Sequence, residues 1–298
     1  MRITQKKIAQ WITEGRGQGH GHDYLPWLLI RRGQSPTGGS LQYRYVPQFD
    51  RYFHLMSKAE LRVARFLLWL GVLDLRDQFP CWPWPHPHPL YLHPDYHPQV
   101  LPWSEGTLVC AKDLGIRHPV YPGTRIPYVP TFDMLATTSS REDVRAVAIA
   151  VKPEETEVSL TCEDLEKLAI QKEYSLRLNF PWKLMSGTMI PPILSSNLLI
   201  LIHYSGQLEV SLSYQWDRFI EVLNASISPN LTMNETLRAV EAETKLPCHI
   251  VRDLFHKALW FRKTNIDLRQ PIVMTIPPML AEPSWIQPTF DYVFGEQT

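Results

Sequence analysis

No cysteine in this chain stands near another. Cys81, Cys110, Cys162 and Cys248 are widely spaced and form no CxxC pair, which argues against a zinc ribbon or a disulfide scaffold. Four buried thiols in a reducing compartment are the expectation. Net charge is also missing, because thirty basic residues offset thirty acidic ones. A chain that coats nucleic acid by global charge is thereby excluded. Long apolar runs are absent too: a run such as that from Leu198 to Ile202 falls far short of the ~20 residues a membrane span requires. Residues 1–30 lack the apolar run and small-residue cleavage site of a secretory signal. There is no internal repeat, and no glycine-rich stretch ends in the GK[ST] of a P-loop.

What is present is an ordinary globular balance. The chain has 298 residues, 44% of them hydrophobic and 20% charged, a length suited to two modest domains. Charge is uneven along it. Residues 1–65 hold eleven basic and four acidic side chains, a net +7, whereas residues 141–173 hold five and nine, a net −4. Such an arrangement either sets up a directional field for a polyanion or is a solvated surface of mixed sign.

Helical spacing marks residues 4–14, with Ile8, Trp11 and Ile12 on one face. Glycines alternate through residues 15–21 (GRGQGHG), either as a flexible loop or as backbone able to approach a phosphate closely. The segment 57–70 predicts a strong helix: Ser57 is an N-cap, Glu60 completes a capping box, and Gly71 ends it. A short strand is expected over 72–79. Residues 80–102 hold eight prolines and four histidines, a density that forbids regular helix or a central strand. His86, His88, His93 and His97 are either metal ligands or part of a surface docking insertion, and the missing acid or cysteine partner favours the insertion.

A short helix is expected over 107–114, strands over 125–137 and 145–152 joined as a hairpin through a charged turn at 139–143, and an amphipathic helix over 162–174. Residues 185–192 read as a linker. Beyond them, helical segments near 215–224, 233–245 and 248–258 precede strand-like pieces at 259–263 and 270–276. That order predicts either a winged helix-turn-helix or a plain helical pair.

The candidate chemistry lies in two strands and a helix. Ala148, Ala150 and Lys152 share one strand face, and a lysine leaving an apolar strand needs a partner. Asp133 on the neighbouring strand supplies one, as a structural ion pair or as part of a site. With Glu60, two carboxylates and an ammonium converge. Carboxylate oxygens suit Mg²⁺, a metal activates water for phosphodiester cleavage, and a lysine places positive charge beside the attacked phosphate.

The succession of helix glutamate, strand aspartate and strand-ending lysine resembles the PD-(D/E)xK superfamily. EGRGQGHGHDYLPWL at 14–28, HLMSKAEL at 54–61, LDLRDQFP at 73–80, LGIRHP at 114–119, FDML at 132–135 and AVKP at 150–153 resemble, more narrowly, the TnsA family of transposon endonuclease subunits. The resemblance covers roughly residues 10–180. It implies an α/β fold: a restriction-endonuclease-like N-terminal domain over 1–184, with a mixed sheet flanked by helices, and a C-terminal winged helix-turn-helix-like domain over 185–298. It implies Glu60, Asp133 and Lys152 as catalytic residues and Glu60, Asp133 and the Val151 carbonyl as ligands of Mg²⁺, with Mn²⁺ as a substitute. Arg76 and Gln78 either hold phosphate or brace the core, and bracing is the favoured expectation.

It further implies cleavage at the 5′ ends of a transposon. A TnsB-like DDE transposase would act at the 3′ ends beside a TnsC-like AAA+ ATPase, without a membrane, on the nucleoid in the cytoplasm of a prokaryote. One departure stands out: the family places glutamine, and the wider superfamily an acid, where this chain has Ala150. Water or Glu166 would then complete the ligand set, or the chain would serve as a non-catalytic adaptor between transposase and ATPase. A DNA-binding regulator and a free-standing nuclease are the remaining expectations.

Overall fold

The computed structural model describes all residues except 1–2, 31–40, 95–100, 141–142, 153–159, 209, 283 and 296–298. His97 and Pro153 of the AVKP motif lie outside the described residues, as do Arg2, Arg31, Arg32, Arg141, Glu142, Glu154, Glu155 and Glu157 among the charged residues counted above. So does the centre of the charged turn.

Helix α2 (Lys58–Leu70) organises the fold. The Ser57 hydroxyl accepts the Glu60 N–H at 3.1 Å, and Gly71 closes the helix in the left-handed region at φ 89°, as the sequence predicts, but the other half of the capping box is replaced, because the Glu60 carboxylate takes the Met56 N–H rather than that of Ser57. Apolar side chains then cover almost its whole circumference, and even Glu60 and Arg65 are buried. A helix apolar on all sides belongs inside a protein. Accordingly α2 shares one hydrophobic cluster with strand residues Leu75, Met134, Ala136, Val147, Ile149 and Val151 and with C-terminal residues including Leu198, Phe255 and Trp260.

The sheet has four strands in the order β3 (Asp74–Pro80), β4 (Thr131–Ser140), β5 (Asp143–Lys152) and β6 (Trp182–Ser186). Neighbours β3–β4 and β4–β5 are antiparallel, and β5–β6 is parallel. It is the mixed, helix-flanked sheet expected. Helix α4 (Cys162–Arg177) makes the crossover, and its Ile170 and Tyr174 cover the opposite face with Leu135, Ala146 and Ala148. Covered on both faces, β5 has no exposed polar alternation and reads AVAIAV.

Strand β4 starts at Thr131 rather than 125, since Pro127 and Pro130 cannot donate to a ladder. Strand β6 occupies the start of the expected linker and carries the sheet two residues past position 184. A hairpin of β1 (Gln42–Val46) and β2 (Arg51–Leu55) was not foreseen. Buried Asp77 ties it to β3, accepting from Arg51 Nη1 and the His54 N–H at 2.7 Å each.

Helix α1 (Gln5–Thr13) forms as expected, and the glycine-rich loop after it is a held turn. Gly17 donates its N–H to the Leu25 carbonyl at 2.6 Å. At φ +72° it has no room for a side chain, since a Cβ there would lie 2.2 Å from Pro80 Cγ. The proline–histidine segment is likewise no simple surface insertion. His88 Nε2 meets the Leu178 carbonyl at 2.9 Å, His86 Nε2 the Tyr174 hydroxyl at 2.7 Å, and Arg76 Nη1 donates to the Pro89 carbonyl at 2.8 Å. Helix α3 (Thr107–Asp113) follows it.

Beyond the sheet come α5 (Pro192–Leu201), α6 (Val210–Ser226), α7 (Met233–Thr244), α8 (Cys248–Trp260) and α9 (Gln287–Phe294). A short turn joins α7 to α8, as expected. The strand-like pieces do not become strands. Residues 259–260 complete α8. The carbonyls of Met274 and Ile276 instead accept the N–H groups of Asn234 and Met233 at 2.9 and 3.1 Å, satisfying donors that a helix start leaves open. An isolated bridge, Ile266 to Leu280, stands nearby.

Cys81 and Cys110 are buried, but Cys162 and Cys248 are exposed. The latter two begin α4 and α8, where no packed face covers them, which corrects the expectation of four buried thiols. Among the described residues no helix is long and apolar enough to cross a membrane.

Gly17→Ala should destabilise the protein by at least ~1 kcal/mol from the left-handed backbone alone, with the Pro80 clash adding to it. A urea-unfolding midpoint lowered relative to wild type checks this.

Candidate active site

Four elements bring the site together, and each is set by a local feature. The cap of α2 turns the Glu60 carboxylate back over the start of the helix. Its Oε2 accepts the Met56 N–H at 2.8 Å, and its Oε1 accepts the Ser57 hydroxyl at 3.1 Å. Oε2 also accepts the Gln78 side-chain amide at 2.9 Å. Glu60 is therefore not just a capping residue: it is tied to the sheet.

Gln78 reaches it through an irregularity. The β3–β4 ladder pairs Asp77 with Met134 and Phe79 with Phe132, and skips Gln78 and Asp133 between them. Gln78 lies in the left-handed region at φ 49°, which costs a non-glycine residue about 1–3 kcal/mol. The alternation of faces changes across the break: Leu75 packs with α2, whereas Phe79, four positions on, packs on the α4 side. The residues released from the ladder are those that face Glu60.

Asp133 lies one position beyond the β4–β5 ladder, which starts at Met134 and Ile149. Its side chain takes over there, with Oδ2 accepting the Val151 N–H at 2.6 Å. Lys152 ends β5, half-buried, and its charge favours the ionised form of Asp133. Among the described residues no ion pair within 4 Å joins the two, so the structural salt-bridge reading is not what the geometry shows. Ala150 is buried, with 3% of its surface exposed, and brings no oxygen. Glu166 is exposed on α4. Arg76 is buried, as a bracing role requires, and what it holds is the proline–histidine segment, through the Pro89 carbonyl.

The two acids feel each other. Burial, and then the charge of Asp133, push Glu60 up to about 8, against the pull of the Met56 and Ser57 hydrogen bonds. Burial also raises Asp133 to about 6, opposed by the Val151 N–H and by Lys152. Two partly desolvated carboxylates with raised proton affinity are a pair that a cation would relieve. Their oxygens are hard donors of the kind that Mg²⁺ takes, and Ala150 adds none.

Gln78 is the member of this group whose contact with Glu60 the sequence did not reveal. Its place in RDQFP drew attention to it, but a side-chain bridge between residues 18 apart leaves no pattern in spacing.

In metal-free buffer the folded protein binds more protons here than the unfolded chain does between about pH 4.5 and 8. Stability should therefore fall as pH rises through that window. Glu60→Gln should flatten the fall, as read by thermal melting across pH.

No family model matches the chain. It is 33% identical over 200 residues to the transposon Tn7 transposition protein TnsA of Escherichia coli, a match covering 66% of this chain and 62% of the relative. The chain thus spans under two thirds of the relative's length. On that likeness in sequence, and on the motifs that carry it, the chain is a TnsA-like protein.

Proposed function

We propose that this chain is a Mg²⁺-dependent DNA endonuclease subunit of a Tn7-type cut-and-paste transposase, with a restriction-endonuclease-like catalytic part over residues 1–184. The observation that carries the reading is the convergence of Glu60 and Asp133 on one buried spot, beside the Val151 amide and the strand-ending Lys152. Glu60, Asp133 and the Val151 carbonyl would hold Mg²⁺, which supplies an activated water and charge stabilisation at the scissile phosphate. The protein's own part is positioning. The Val151 N–H fixes one carboxylate oxygen of Asp133, Gln78 and Met56 fix Glu60, and the Lys152 ammonium offers positive charge to the attacked phosphate.

Substrate features support the DNA reading. Arg44, Arg62 and Arg65 lie close enough that, after burial, the charges of the other two help push Arg65 down to about 10. On the β1–β2 hairpin that carries Arg44, exposed Tyr43 and Tyr52 stack with ring centroids 4.5 Å apart. Cations beside aromatic faces suit a nucleic acid strand. The substrate is the 5′ ends of the transposon, with a TnsB-like DDE transposase acting at the 3′ ends and a TnsC-like AAA+ ATPase as regulator, on the nucleoid of a prokaryotic cell. Residues 185–298 are the partner-meeting part. Helices α7 and α8 support a winged-helix-like reading of it, with the Ile266–Leu280 bridge where a wing would stand.

Ala150 favours a second reading, a catalytically weakened adaptor on the same fold that bridges transposase and ATPase. Asp133→Ala separates the two. On the first reading it lowers 5′-strand cleavage by on the order of 100-fold or more, while 3′ joining by the partner persists in a reconstituted transposition assay. Unchanged cleavage sinks the catalytic assignment. Ala150→Gln should lower the Mg²⁺ concentration that gives half-maximal cleavage, as measured by metal titration.

A further inference from the structure

Three segments far apart in sequence meet at the other end of β3. His20 comes from the glycine-rich turn, Asp74 opens β3, and His93 belongs to the proline–histidine segment. Among the described residues they are the one group of three or more His, Cys, Asp or Glu side chains whose ligand atoms all lie within 4.8 Å of one another. None is more than slightly exposed: Asp74 retains 2% and His93 5% of their surface, and the His20 side chain 12%.

We propose that His20, Asp74 and His93 form a cation site separate from the nuclease site, a two-histidine, one-carboxylate centre for a divalent transition metal of the Zn²⁺ class. The hydrogen bonds argue for it. His20 Nε2 lies 3.1 Å from the Tyr91 carbonyl, an acceptor only, so the proton of a neutral ring sits on Nε2. The Nδ1 lone pair then faces Asp74 Oδ2 at 3.5 Å. Neither Nδ1 nor either carboxylate oxygen of Asp74 makes a well-aligned hydrogen bond, and, against burial, what holds the carboxylate below its usual range is the nearby His20 ring, the Arg76 and Arg51 charges and the Gly21 N–H. Two buried acceptors facing each other repel unless something positive lies between them. A histidine that donates its second nitrogen to a backbone carbonyl while offering the first is also how metal-binding histidines are oriented.

The rings of His20 and His93 meet edge to face, with centroids 4.8 Å apart and an interplanar angle of 80°, so two imidazoles can share one ion without stacking. Ligand bonds of about 2.0–2.2 Å around a tetrahedral ion need the side chains to close by only about 1 Å.

The neighbouring groups are already committed. His86 and His88 are tied to Tyr174 and Leu178. Arg76 Nε stands 3.5 Å from Asp74 Oδ2; its guanidinium weakens the site by charge and leaves Oδ1 open. The three ligands border a cavity of about 790 Å³, also lined by Trp82, Trp84 and Tyr91. Neither Glu60, Asp133 nor Lys152 lines it, and Gln78 is four residues, roughly 13 Å, along the strand from Asp74.

The test uses the full chain without added histidines. In equilibrium dialysis against Zn²⁺ with metal analysis, wild type and Asp133→Ala should each retain one equivalent, and His20→Ala and His93→Ala should bind at least 10-fold more weakly. X-ray absorption at the zinc edge of the wild-type protein should show two imidazole ligands, a readout that does not depend on whether the variants fold. Absence of stoichiometric Zn²⁺ in wild type overturns the proposal. So does unaltered binding in both histidine variants, or binding lost in Asp133→Ala and kept in His93→Ala, which would put the ion at the nuclease site.

Discussion

Everything at the candidate nuclease site depends on one buried carboxylate. Glu60 occupies the first turn of a helix that is covered on nearly every side. Its position is not free to drift: the Ser57 hydroxyl accepts the Glu60 N–H to cap the helix and also donates to the carboxylate, which the Met56 N–H holds from its other oxygen. The cap alone would make it a common structural device. The Gln78 amide, arriving from the sheet, turns it into a link between the central helix and the strands that carry Asp133 and Lys152.

The sheet contributes through a fault in its own regularity. A continuous β3–β4 ladder would place Gln78 and Asp133 as an ordinary pair. With the ladder broken there, one residue adopts a left-handed backbone and the other sends its carboxylate to a backbone N–H on the next strand. Strain held at a functional position by surrounding structure is a familiar pattern. Here the restraint comes from fully buried side chains on either side of the break, Met134 and Phe132 among them.

Strand β3 serves two ends of the molecule. Near its centre it supports the acid pair through Gln78, and at its start Asp74 faces His20 and His93. Each place gathers charged or polar groups that burial penalises, and each is unbalanced without positive charge. At the candidate nuclease site Ala150 offers no oxygen where the family resemblance leads one to expect it, so water would have to complete the shell of a metal held there. At the other end the donor set contains imidazole, which suits a different class of ion.

Local signals in the sequence determined local structure. The Ser57 cap, the Gly71 stop, the apolar circumference of α2 and the alternation lost in AVAIAV are all properties of neighbouring residues, and the helix, the central strand and the order Glu60, Asp133, Lys152 followed from them. Segments whose partners lie far off were misread: β6 passed for a linker because only pairing with β5 makes it a strand, and residues 270–276 passed for a strand because their acceptors are taken by the start of α7. Tertiary structure alone decided that Gln78 bridges Glu60, that the two acids share a buried field, and that His20, Asp74 and His93 converge. Those relations come from chain reversals and from one broken ladder. Such contacts depend on distance in space, which spacing along the chain does not encode.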